Sequence, residues 1–178
     1  MTDKTVWRVA DLPQNAPTSF AVRPDADTLR QIQDQLGLLG LRKLSFAGKI
    51  TASGKKDWEI RADLGATVVQ PCVVTLEPVT TRLDTLVRRI LLAEWDAPEE
   101  AEVEMAEDDE ADQLGTEIDV FAMMVEALAL SLPEYPRADG AELGQLNVTE
   151  PGKAALTDED VKPFAGLADL RDKLKKEE

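Results

Sequence analysis

The chain has 178 residues, enough for one domain with additional segments, and carries 35 acids against 20 Lys and Arg for a net charge of −15. It contains no histidine and a single cysteine, which excludes Cys/His zinc sites, Ser-His-Asp and Cys-His nucleophile pairs, and intramolecular disulfides. There is no P-loop or G-x-G-x-x-G run, and no stretch reaches the roughly 18 uncharged apolar residues of a membrane span. Residues Met1 to Ala10 lack the apolar run of a signal peptide, so a cytoplasmic setting is expected. Carboxylate chemistry stays open, but a carboxylate pair has no signature spacing, and the expectation is a non-enzymatic protein with no metal and no cofactor.

The charge is concentrated. Thirteen acids and no Lys or Arg lie between Glu94 and Asp119, and elsewhere 22 acids nearly balance 20 bases. Hydrophobic residues make up 43% and aromatic ones only 4%, so the core is expected to be aliphatic.

In chain order, Trp7 to Leu12 alternates as an opening strand, and a Pro/Asn-rich stretch follows. Pro24 and Asp25 then introduce a helix with Leu29, Ile32 and Leu36 on one face, closed by Gly37. Residues 44–52 and 58–64 place apolar side chains on even positions, which reads as a β-hairpin with one buried face. Both apolar sets must face the same side, so the loop holds an odd number of residues. Gly54-Lys55-Lys56 pairs Ala52 with Trp58, Ile50 with Ile60, and Lys49 with Arg61.

Val68 to Pro78 reads as the end of a strand and a turn. Val79 to Trp95 fits both alternation and helical spacing, and its threonines favour strand. Residues 97–115, dense in Glu, Asp and Ala, read as a flexible acidic loop. Thr116 and Asp119 form a Thr-x-x-Asp capping pattern before a second helix, whose stripe is Ile118, Phe121, Val125, Leu128 and Leu132 and whose stop is Pro133. Beyond Pro136 the chain turns polar and is expected to be disordered to about Thr157. Phe164, Leu167 and Leu174 then mark a weak amphipathic end. The fold class is α+β, an antiparallel sheet with two packed helices, in a domain of residues 1–135 followed by a tail of 136–178.

Three landmarks stand in order along the chain. The first is Gln70-Pro71-Cys72-Val73-Val74-Thr75-Leu76-Glu77-Pro78-Val79 after the hairpin. The second is the acidic loop followed by Glu117-Ile118-Asp119 and the helix with Glu126, Leu130 and Pro133. The third is Pro133-Glu134-Tyr135-Pro136-Arg137, with Pro163 to Leu170 near the end. In order and spacing these landmarks resemble the YceD-like family, whose members support accumulation of large-subunit ribosomal RNA, and the resemblance implies a ribosome-biogenesis role without a known catalytic activity. Many members place a second cysteine where this chain has Thr75, and further cysteines after the second helix. The metal site of such relatives cannot be built from Cys72 alone.

The acidic loop, with Glu99, Glu100, Glu102, Glu104, Glu107, Asp108, Asp109, Glu110 and Asp112, reads as a docking surface for a basic partner. That partner is a ribosomal protein or a large-subunit precursor particle, since dense carboxylates attract polycations and repel phosphates. Its bland alternative is a solvated loop. Lys49, Lys55, Lys56 and Arg61 form a candidate RNA-contacting spot, weighed against a solvated face on which Glu59 and Asp63 relieve the repulsion. Cys72 reads as a buried structural thiol rather than a reactive one, and Glu126 is a candidate partner for Arg88 or Arg89. The leading function is an acidic adaptor or escort in large-subunit assembly. The alternatives are a nucleic-acid mimic that occupies a basic site on another protein and, behind it, a carboxylate hydrolase, which would need a concave pocket with raised carboxyl pKa values.

Overall fold

The computed structural model describes residues 4–94 and 111–142. The chain divides into a unit ending at Asp139 and a second beginning at Gly140; all the described strands and helices belong to the first.

The fold is α+β. Strands β2 (Thr18–Val22), β3 (Gly40–Ser53), β4 (Asp57–Pro71), β5 (Pro78–Leu92) and β6 (Ala111–Gln113) form one sheet in that spatial order. Every neighbour in it is antiparallel except β5 and β6, which run parallel. A second, two-stranded sheet pairs β1 (Val6–Arg8) with β7 (Glu117–Asp119) and sets Trp7 opposite Ile118. Helices α1 (Ala26–Gln35) and α2 (Val120–Ser131) complete the unit.

The hairpin follows the parity argument residue for residue. Ala52 faces Trp58, Ile50 faces Ile60, and Gly54 takes φ +71° in the three-residue loop. Even positions of β3 and β4 line the core, where Phe46, Ile50, Trp58, Ile60, Leu64 and Val68 are almost wholly excluded from water. Gly48 stands in this row because a Cβ there would lie 2.2 Å from the Arg61 carbonyl oxygen and 2.5 Å from the Ala62 Cβ. A register shift between Arg42 and Ser45 changes the parity, which brings both Leu41 and Leu44 inside. The ambiguous segment is strand, β5, with an unbroken register against β4.

Helix α1 opens as expected. Asp25 accepts from the Thr28 N–H at 2.8 Å, which holds its carboxyl below the usual range. Its end is closed by bonds from Gly37 N–H to Asp34 O and from Leu38 N–H to Gln33 O, and Leu38 is buried.

Four expectations need correction. The opening strand is only Val6–Arg8, because a 3-10 turn at Val9–Asp11 bends the chain away. The Pro/Asn-rich stretch leads into a strand, β2, whose Phe20 and Val22 are buried. Its five residues were too few to show alternation beside three prolines. Residues 111–113 of the supposed loop are β6, so Asp112 lies in a strand opposite Leu91.

Last, Glu117–Asp119 is strand, and Asp119 is itself the N-cap of α2, accepting from Phe121 and Ala122 N–H at 2.9 and 3.1 Å. Of the expected stripe, Ile118 and Leu128 are buried, Phe121, Val125 and Leu132 pack only partly against the core, and Val120, Met124 and Ala127 complete the buried face. Nearly every side chain of this helix is apolar, so sequence period alone sets its rotation poorly; the pairing of Ile118 with Trp7 fixes it. Replacing Asp119 with Ala should cost about 0.5–2 kcal/mol, read as a lower urea midpoint.

Residues 97–110 of the expected acidic loop, the tail beyond residue 142 and its amphipathic end lie outside the described residues.

Candidate functional site

Strand geometry puts odd positions of β4 and even positions of β5 on the face away from the core. Lys49, Arg61 and Arg88 lie side by side across three strands on it. Like charges so placed repel, and each needs an anion or solvent. Glu59, two residues before Arg61 on the same face, accepts from Arg88 Nε at 2.7 Å and Arg61 Nη2 at 2.9 Å. Arg88 first and Arg61 second hold its carboxyl below the ordinary value. Lys49 has no ion pair among the described residues.

Beside this row the face is shallow, because Ser45, Ala47 and Gly65 offer little side chain. The concavity of about 470 Å³ there is bounded by Asp63, Arg82 and Asp84. Arg82 donates to Asp84 at 2.8 Å, which lowers the Asp84 carboxyl.

Lys55 and Lys56 are not part of that row. They sit in the hairpin loop, and Lys56 donates to Glu94 at 2.6 Å. The Ala93 N–H donates to Asp57 Oδ1 at 2.9 Å. These bonds tie the point where the acidic segment leaves β5 to the hairpin loop. The segment re-enters at Ala111, opposite Ile90, so both its ends are fixed on one sheet edge. Parallel neighbours require a crossover of a dozen residues or more, and residues 95–110 supply one. Of the predicted acidic docking residues, Asp112 is placed in β6; Glu99, Glu100, Glu102, Glu104, Glu107, Asp108, Asp109 and Glu110 lie outside the described residues.

Two of the sequence landmarks meet at Cys72. The six-residue turn from Cys72 to Glu77 joins β4 to β5. It is closed by Cys72 N–H to Glu77 O at 2.7 Å and Leu76 N–H to Cys72 O at 3.0 Å, with Leu76 left-handed at φ +62° and Pro78 opening β5. The exit from α2 lies against this turn. Gln70 Nε2 donates to Pro133 O at 3.2 Å, and Val73 N–H donates to Pro136 O at 2.9 Å. The Cys72 sulfur receives N–H groups from Val74, Thr75 and Ala138, each at 3.4 Å. The thiol is fully shielded from water but stands apart from the main hydrophobic cluster.

Hydrogen bonding pulls the Cys72 pKa from an ordinary 9.0 to about 6, with the Thr75 side chain first and the Ala138 and Thr75 N–H groups next. A thiolate is therefore favoured in the folded state over the unfolded one. Its stabilisation is complete above pH 9 and is lost as pH falls through about 6. The chain has no histidine to titrate in this window. The urea midpoint of the wild type should rise from pH 6 to pH 9, and that of Cys72→Ser should stay flat over the same range.

Glu126 pairs with Arg89, one of the two partners weighed for it, while Leu130 on the same helix is 75% exposed. Sequence reasoning missed Arg88 as a member of the cation row, although its parity on β5 carried the signal. The contact of Ala138 with Cys72 had no signal, because it spans 66 positions through a backbone amide.

Residues 60–171 match the family model described as Large ribosomal RNA subunit accumulation protein YceD, which is well over half of the chain. No curated protein and no solved structure matches it.

Proposed function

The chain belongs to the YceD family, which concerns accumulation of large-subunit ribosomal RNA, and from that premise we propose that it acts without catalysis as an acidic adaptor. It holds a basic ribosomal protein or a large-subunit precursor particle through the acidic segment, while the folded unit supplies specificity. The observation that carries this reading is thirteen acids without one base between Glu94 and Asp119. Such a charge density concentrates polycations and accelerates encounter, and it repels the phosphates of free RNA. Anchorage of both ends of the segment beside the hairpin loop also supports it, since a loop fixed at both ends loses less entropy on binding than a free tail.

The row of Lys49, Arg61 and Arg88 is the second contact, made with RNA phosphates that accompany the partner. No described helix is long and apolar enough to cross a membrane, and the role sets the protein in the cytoplasm with the ribosomal precursors.

The test is a low-salt capture from cytosol, with and without ribonuclease, identifying both protein and RNA. Large-subunit proteins retained after ribonuclease and released by salt are the expected result. Ribosomal RNA retained equally by wild type and by a variant with its acidic segment neutralised would contradict the adaptor reading and assign recognition to the sheet.

A further inference from the structure

The side of β5 away from β4 is only partly paired among the described residues. Only Ile90, Leu91 and Leu92 of its fifteen residues pair with β6, and among the described residues no backbone hydrogen bond closes the same side from Val79 to Val87. The Leu92 carbonyl accepts from Leu114 N–H on that side, so alternation puts the open N–H and C=O groups on Thr80, Arg82, Asp84 and Leu86.

Natural sheets protect such an edge with bulges, inward-pointing charges, proline or a very short strand. Among the described residues none of these is present from Val79 to Val87, where the charged side chains are the outward Arg82 and Asp84, opposite in sign. The register against β4 is unbroken, and the inward positions Val79, Thr81, Leu83, Thr85 and Val87 are uncharged. Beside the edge lies a groove of about 250 Å³. Five consecutive β5 residues, Thr85 to Arg89, line it, and a strand presents consecutive residues only along its edge. Ala127, Leu130 and Ser131 of α2 form the other wall. Leu86 and Leu130 are 73% and 75% exposed there.

We propose that a second copy of this chain occupies this edge, its β5 pairing antiparallel with the first about a two-fold axis through Leu83. Register selects the occupant. Pairing about Leu83 sets Arg82 opposite Asp84 of the other copy, twice, with Thr80 opposite Leu86, Thr81 opposite Thr85 and Val79 opposite Val87. A shift of the axis to Asp84 or Arg82 sets that charge against itself, and a shift to Thr85 sets Arg82 against Arg88. An axis at Leu86 requires the Ile90 edge that β6 already holds. Axes between residues pair outer with inner faces and are excluded by the pleat.

The open groups on Arg82 and Asp84 suit the Leu83 register, because both then fall in hydrogen-bonded pairs. The net charge of −15 does not oppose it. With Leu92 of each copy at opposite ends of the ladder, the roots of the two acidic segments lie roughly 50–60 Å apart, far beyond a Debye length of about 8 Å. The pairing rests on the fold alone and is independent of the proposed adaptor role.

Sedimentation equilibrium on the full chain into the high micromolar range tests it. The wild type should approach twice 19.5 kDa. Asp84→Lys places cation against cation on both sides of the axis and should weaken association about tenfold or more. Both side chains are exposed, so circular dichroism should stay unchanged. The double variant Arg82→Asp/Asp84→Lys restores both pairs and should restore the dimer, a rescue that simple damage would not give. A wild type at single-chain mass throughout, an Asp84→Lys dimer as tight as the wild type, or a double variant as weak as the single would each overturn the proposal. So would an extended foreign peptide seated on the edge.

Discussion

Conversion of Glu99, Glu100, Glu102, Glu104, Glu107, Asp108, Asp109, Glu110 and Asp112 to their amides should slow association with a basic polypeptide by about 10- to 1000-fold at low salt. The physical reason is the localisation of the charge. Thirteen acids in one base-free segment create an attractive field that reaches beyond contact distance, and the amides keep the size and polarity of each side chain while removing nine of the thirteen charges. The difference between wild type and variant should shrink as salt rises, because screening removes from the wild type what substitution removes from the variant.

The fold should not suffer. Asp112 accepts from the Gln113 N–H at 2.7 Å, and an asparagine oxygen can do the same. Deletion is the poorer experiment, since a deletion of 97–115 removes β6, and with it the cover on Ile90 to Leu92, together with the charge. Stopped-flow association against salt, with a urea midpoint as control, gives the measurement.

Trp58→Ala should destabilise the unit by about 3–5 kcal/mol, a large share of the roughly 5–15 kcal/mol that a domain of this size possesses. Trp58 is 1% exposed, on the third residue after Lys55, and it faces Ala52 on one side and Leu91 on the other. Its removal leaves a cavity that small neighbours such as Ala52 cannot fill. The site lies at the end of the sheet from which the acidic segment departs, so the loss also loosens the anchorage through Asp57 and Lys56. Urea unfolding should show a lower midpoint at unchanged slope. A fall of less than about 1 kcal/mol would mean that this end of the sheet collapses around the void.

The hairpin was legible because its two strands alternate cleanly and share parity, which fixes loop length and register together. Helix α1 was legible for a similar reason: Asp25 and Gly37 mark its ends with specific hydrogen bonds. Strands β1, β2, β6 and β7 have three to five residues each, too short for any period to emerge. The pairing of β1 with β7 is also a contact between distant parts of the chain, which local pattern does not record.

The site divides in the same way. The charge of the acidic segment is a compositional fact, visible without a fold. The cation row needed the register of β5, and Arg88 joined it only once Ala62 was set against Val87. The cradle around Cys72 draws on backbone N–H groups as well as the Thr75 side chain, and backbone groups are possessed by every sequence, so no residue type announces that part of it.

The most direct test of the acidic adaptor is made in cells that lack the protein, by measuring large-subunit relative to small-subunit ribosomal RNA after complementation. Wild type should restore the ratio, and the amide-substituted chain, expressed to the same level, should leave it depressed. Full restoration by the amide-substituted chain would contradict the account, because the segment's charge would then have no part in the accumulation of large-subunit RNA.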